Sequence, residues 1–140
     1  MNKKYASCLT TREIEEVLKK AGIQPTAQRI AICKYVLCEA EHTTVDEVKA
    51  WADDNFPKIS LATVYNTLNI LVENGLLRSL KLAHSDKVIF DNNNEDHYHF
   101  LDENTGKLYD LMPDQFEIKP KLGNEYQINS MDILIRGKLA

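Results

Sequence analysis

SLATVYNTLNILVENG, residues 60–75, is the stretch on which the rest of the chain depends. Ser60 is a good N-cap, and Gly75 is the residue favoured just past a helix end, so the two bracket a helix. Leu61, Val64, Leu68, Leu71 and Val72 recur at helical spacing and predict its buried face. The other face carries Ala62, Thr63, Tyr65, Asn66 and Asn69, with no carboxylate before Glu73. Such small, uncharged, hydrogen-bonding side chains with one aromatic ring approach a polyanion without repulsion. They can also read base edges by amide and methyl contact. The same pattern describes an ordinary amphipathic helix with a solvated side, so the neighbouring sequence has to decide.

Upstream, Thr10 and Glu13 form a capping box that opens a helix carrying Ile14, Val17, Leu18 and Ala21 on one face, closed by Gly22. Pro25 and Thr26 start a second helix through Ile30, Cys33, Val36 and Leu37 to about Cys38. Thr44 and Glu47 open a third, with Val45, Val48, Trp51 and Ala52 inward and Phe56-Pro57 at its end. After Gly75 the period changes. Apolar runs at 76–82 and 88–90 flank a polar turn, His84-Ser85-Asp86-Lys87, and predict a β-hairpin. Helices followed by a hairpin are the layout of a winged helix. The third helix and the Ser60 helix are then its helix-turn-helix pair, the latter entering the major groove. Thr63, Tyr65, Asn66 and Asn69 are the expected base-reading residues, and Arg29 and Ser60 the phosphate contacts.

Residues 91–96, DNNNED, contain no apolar side chain and read as a hinge. The expected domains are therefore 1–90, for DNA binding, and 97–140. In the second, strands at 97–101 and 107–111 join through Asn104-Thr105-Gly106, and strands at 126–130 and 133–136 close the chain. Pro113, Pro120 and Gly123 leave room for little more than one helical turn between them. A strand-rich unit of ~50 residues is small to be stable alone, which predicts pairing with a second copy. A two-fold homodimer also supplies two reading helices for a palindromic site on double-stranded DNA. The fold class is α+β.

The net charge of −4 divides unevenly. Residues 1–85 hold 11 Lys+Arg against 10 Asp+Glu, whereas 86–140 hold 6 against 11. A near-neutral first part and an acidic second part suggest two jobs, the second suited to cations. No apolar run approaches the ~18 residues of a membrane span, and MNKKYASCLT has no signal-like apolar stretch, so a cytoplasmic location and no membrane partner are expected. The cysteines, Cys8, Cys33 and Cys38, are odd in number and form no CxxC. Neither a disulfide nor a thiolate zinc site is expected, and Cys33 reads as a small buried hydrophobe.

His97-Tyr98-His99 is the most informative triplet. In a strand, positions i and i+2 place both imidazoles on one face. Asp91 precedes the pair, Asp110 lies on the partner strand of the proposed hairpin, and His42 stands at the turn entering the third helix. Three imidazoles and two carboxylates form a mixed nitrogen and oxygen site suited to Fe2+, Mn2+, Zn2+ or Ni2+. An HxH on an exposed edge strand is the plainer alternative, and His84 is given no role.

On these residues the chain resembles the ferric uptake regulator family, dimeric winged-helix repressors controlled by metal. QPTAQRIAI at 24–32, EHTTVDEV at 41–48, SLATVYNTLNILVENGLL at 60–77, VIFD at 88–91, HYHF at 97–100 and TGKLYDL at 105–111 carry the likeness. Within the family it is most similar to the peroxide-stress regulator branch. The resemblance implies a regulatory site at His42, Asp91, His97, His99 and Asp110, where iron-uptake regulators commonly carry Glu in place of the last. It implies Fe2+ or Mn2+ there, with Zn2+ an in vitro substitute, and hydrogen peroxide as the signal, oxidising His42 or His97. Two departures stand out. The family's first CxxC falls on Asp102 and Thr105, and Leu139 stands where the second would begin, so no structural zinc is expected. The helix leading into the last strands is also shortened. An iron- or haem-responsive regulator is the alternative of the same class. A non-haem metalloenzyme is the alternative from another, disfavoured because no second acid/base constellation is present.

Overall fold

The computed structural model describes residues 8–82 and 85–140, and the chain divides into two compact units, Met1–Asn94 and Glu95–Ala140.

The first unit is built on capped helices. α1 (Thr11–Lys20) opens with the predicted capping box: Thr10 Oγ1 accepts from the Glu13 amide at 3.2 Å, and Glu13 Oε1 accepts from the Thr10 amide at 3.0 Å. α2 (Ala27–Lys34) is capped by Thr26 and continues into a π-helical segment, Tyr35–Glu39. The sequence reads as one plain α-helix here, but the Ala40 amide bonds five residues back to the Tyr35 carbonyl at 2.9 Å. The wider turn persists because one side chain serves the carbonyls at the helix end. Asn92 Nδ2 donates to the carbonyls of Val36 (3.1 Å), Leu37 (3.3 Å) and Ala40 (2.9 Å).

β1 (His42–Thr44) leads directly into α3 (Val45–Asn55), with Thr44 both ending the strand and capping the helix. α4 (Leu61–Glu73) follows, its N-terminus capped by Ser60 Oγ accepting from the Thr63 amide at 3.1 Å. Its chain leaves through Gly75 at φ 71°, the left-handed geometry that glycine adopts without a Cβ penalty. Val64, Leu68 and Leu71 are buried as the spacing predicts, but three positions differ. Leu61, in the first turn, is 42% exposed, whereas Thr67 and Ile70 are buried. Thr67 tolerates burial because its hydroxyl donates to the Thr63 carbonyl at 2.7 Å. The core joins α1, α2, α3 and α4 through Ile14, Leu18, Ile32, Leu37, Val48 and Leu68.

β2 (Arg78–Lys81) and β3 (Val88–Asp91) form the wing hairpin, and β1 adds a third strand, giving the antiparallel order β1-β3-β2. His84, in the predicted turn, lies outside the described residues. The polar stretch after the wing is not simply solvated. Asp91 is the last residue of β3, and Asp91, Asn92 and Asn93 are all buried, held by backbone and carbonyl partners in the first unit.

The expectation that no disulfide forms is wrong. Cys8 and Cys38 are bonded, 30 residues apart in sequence with Cα atoms 4.8 Å apart. Sequence spacing carried no trace of this, because α1 and α2 double back and return the N-terminal segment to the end of the π-helical turn. Cys33 is the buried free thiol, as expected.

The second unit is a three-stranded sheet of order β5-β4-β6. β4 (Tyr98–Asp102) pairs antiparallel with β5 (Leu108–Leu111) and parallel with β6 (Leu134–Gly137). The strand expected at 126–130 does not form. Its alternating residues find no strand to bond among the described residues, and Tyr126 and Ile128 stand 60% and 54% exposed. The β4–β5 turn occupies the positions where the resembled family has its first CxxC. Here Asp102, 4% exposed, accepts from the Asn104 amide at 3.0 Å and the Thr105 hydroxyl at 2.9 Å. Asp102→Ala removes both bonds and should lower the unfolding free energy by roughly 1–3 kcal/mol, read from urea midpoints at unchanged slope.

Candidate metal centre and nucleic-acid face

Strand register assembles two sets of ligand-type side chains, one in each unit. In the first, His42 on β1 stands directly opposite Asp91 on β3. Cross-strand partners share a face, and His42 Nε2 lies 3.5 Å from Asp91 Oδ2. The other carboxylate oxygen accepts from the Asn93 amide at 2.9 Å, which fixes the group and turns Oδ2 toward the imidazole. Both side chains are nearly inaccessible, at 8% and 1%. A carboxylate so buried calls for a cationic or hydrogen-bonding partner.

In the second unit His99 on β4 is directly opposite Asp110 on β5, and His97 joins the same face two residues earlier. His97 Nε2 lies 3.0 Å from His99 Nε2, and Asp110 Oδ1 lies 3.4 Å and 3.6 Å from these two nitrogens. His97 Nδ1 lies 2.6 Å from the Glu95 carbonyl. A carbonyl only accepts, so Nδ1 carries the proton and Nε2 presents its lone pair inward. Two imidazole nitrogens and a carboxylate oxygen within 4.8 Å of one another make an electron-rich pocket. The nitrogen separation suits adjacent ligands each roughly 2.0–2.1 Å from one ion. The donor set therefore fits a borderline divalent cation, and all five predicted ligands fall into one or other of these sets.

The predicted DNA-reading residues lie on α4 as the sequence implies: Ala62, Tyr65, Asn66 and Asn69 are exposed, and Thr63 is half-buried. Thr26, Gln28, Arg29, Lys58, Ile59, Ser60 and Thr63 line an open depression of about 230 Å³ at the N-terminus of α4. Arg29 is steered there by its Nη1 donating to the Gln24 carbonyl at 2.8 Å. Lys58, missed in the sequence, is a second cation at this rim. It adopts φ 58°, a conformation unusual for a residue with a side chain, in the turn before Ser60. Its place two residues before a helix cap was the available signal. Arg29 and Lys58, placed beside a helix N-terminus, suit an anionic backbone.

The family model of the "Ferric uptake regulator family" matches residues 20–136. The chain belongs to that family. It is 38% identical over 100 residues to the peroxide operon regulator of Bacillus subtilis strain 168, spanning 71% of this chain and 68% of the relative. The structure of the Campylobacter jejuni peroxide stress regulator superimposes with a TM-score of 0.61 at 25% identity, covering 94% of this chain and 97% of that one. The Vibrio cholerae ferric uptake regulator, at 24% identity, shares the fold with a TM-score of 0.67, covering 89% and 98% of the two chains. The fold class is accordingly α+β, a winged-helix first domain followed by a small second domain whose described elements are the three strands β4, β5 and β6. The family's members are transcriptional regulators rather than enzymes. Among the described residues no helix is long and apolar enough to cross a membrane.

Proposed function

We propose that this family member is a metal-dependent repressor that releases DNA when hydrogen peroxide oxidises a ligand histidine. The observation that carries the reading is the convergence of His97, His99 and Asp110 in one unit, matched by the buried His42–Asp91 pair in the other. One Fe2+ or Mn2+ ion takes ligands from both sets: His42, Asp91, His97, His99 and Asp110. Fe2+ held there would supply one-electron chemistry toward hydrogen peroxide, and His42 or His97 would be the residue oxidised. The chain's own part is to hold the imidazoles in place, through the Glu95 carbonyl and the β4–β5 register, and to set each carboxylate opposite a histidine on the neighbouring strand. Ligation from both domains, across a hinge within 91–96, makes one arrangement of the reading helices the preferred one. The difference in metal affinity between arrangements is then the switch.

Intact-protein mass spectrometry after Fe2+ loading and hydrogen peroxide tests this directly. A gain of 16 Da mapped to His42 or His97 is the expected outcome. Unmodified histidines in iron-loaded protein would refute peroxide sensing and leave an iron-responsive regulator.

For DNA, two copies of α4 read a palindromic site, with Tyr65, Asn66, Thr63 and Asn69 at base edges and Arg29, Lys58 and Ser60 at phosphates. The apolar residues exposed between β5 and β6, Ile118, Leu122, Tyr126 and Ile128 among them, support a homodimer through the second domain. Tyr65→Ala should weaken specific binding by roughly 1–3 kcal/mol. Arg29→Ala should weaken all sequences alike and flatten the salt dependence. Wild-type footprints from both variants would show that another surface reads the DNA.

A further inference from the structure

The Cys8–Cys38 disulfide has no part in the metal or DNA reading, yet it sits where it can act on the metal ligands. Both cysteines are half-buried, within reach of a small oxidant or reductant. Cys33 is fully buried, and desolvation pushes its thiol up to about 12, so it stays unreactive in the folded chain. Cys38 lies in the π-helical segment, Tyr35–Glu39. The carbonyls of Val36, Leu37 and Ala40, on either side of Cys38, are all held by the single Asn92 amide. Asn92 follows Asp91 directly, and Asp91 pairs with His42, which begins β1 just after the π-helical segment ends. A covalent tie at Cys38 therefore restrains the backbone that anchors Asn92, and Asn92 restrains Asp91.

We propose that Cys8 and Cys38 form a reversible dithiol–disulfide site, closed by a hydroperoxide, whose closure tightens the hold of His42 and Asp91 on a divalent cation. The second half rests on the metal reading above; the first does not. In the closing reaction one thiolate attacks a peroxide oxygen and the O–O bond breaks, giving a sulfenic acid and, after protonation, water. The second thiolate then attacks that sulfur. The S–S bond forms, the S–O bond breaks, and a second water leaves. Two thiols have lost two electrons and two protons, and one hydrogen peroxide has become two waters. The link closes the loop spanning α1 and α2 and limits the openings in which the π-helical turn unwinds. By linkage, the bound cation favours the disulfide by the same factor as the disulfide favours the cation.

The test uses the full chain, reduced and freed of iron, with Mn2+ as the metal probe so that iron-driven histidine oxidation plays no part. One equivalent of hydrogen peroxide should lower the mass by 2 Da and protect two thiols from alkylation, and dithiothreitol should reverse both. Cys8→Ser should show neither change. In calorimetric titration the oxidised wild type should bind Mn2+ at least about threefold more tightly than the reduced wild type. Two thiols still alkylated after peroxide, or equal Mn2+ affinity in the two redox states, would overturn the proposal. Absence of Mn2+ binding in both states would refute the metal reading and the coupling with it, while the mass change still decides the thiol pair. The decisive comparison is between two redox states of the wild type, so it holds even where Cys8→Ser folds poorly.

Discussion

His97→Ala should abolish metal-dependent DNA binding, with Mn2+ affinity falling by roughly 100-fold or more. Loss of a residue that only supports a ligand commonly costs about 10–100-fold, and the role proposed for His97 is to supply a ligand atom itself. Its Nδ1 proton is committed to the Glu95 carbonyl, so its Nε2 is preset toward His99 and Asp110 before any ion arrives. Its side chain is only 1% accessible, so water does not readily replace the missing donor in a fixed position. Calorimetry with Mn2+ and fluorescence anisotropy on operator DNA give the two readouts. A His97→Ala protein that binds Mn2+ within about threefold of wild type would remove His97 from the ligand set.

What the sequence made legible, and what it concealed, follows from the reach of local rules. Ser60 and Gly75 bracket α4 because capping is decided by a few adjacent residues, and the structure has the caps where the residues imply them. The spacing of His97 and His99 was enough to place both on one face, since strand alternation is equally local. β1 was hidden because three residues give no alternation to detect, and Thr44 announces the helix that follows more strongly than the strand it ends. Yet β1 is what sets His42 opposite Asp91. The run DNNN looked like solvated linker because composition does not reveal whether an amide has partners. Asn92 is buried among three carbonyls from residues 36, 37 and 40. Tyr126, Ile128 and Ser130 gave a strand signal that pairing did not answer. The Cys8–Cys38 bond depended on the path of two helices, which no local pattern records.

Asp110→Glu should retain Mn2+-dependent DNA binding and lose most of the release triggered by peroxide. Asp110 is fixed by its place opposite His99, and from there its Oδ1 comes within 3.4 Å and 3.6 Å of the two imidazole nitrogens. A short side chain from this backbone position reaches less far, and would leave room on a bound ion for a small oxidant. Glutamate is longer by one methylene. From the same strand position its carboxylate can advance far enough to engage through both oxygens, occupying the room that hydrogen peroxide needs. Affinity is then kept or raised, because the number of protein oxygens has not fallen, whereas access to the oxidant is reduced. Anisotropy with iron-loaded protein, before and after micromolar hydrogen peroxide, compares wild type with Asp110→Glu directly. Mass spectrometry of the same samples should show the 16 Da histidine product in wild type and little of it in the variant. Equal release and equal oxidation in both proteins would refute the argument from side-chain length. The opening for peroxide would then have to depend on the other ligands, with His42 and Asp91 the next pair to vary.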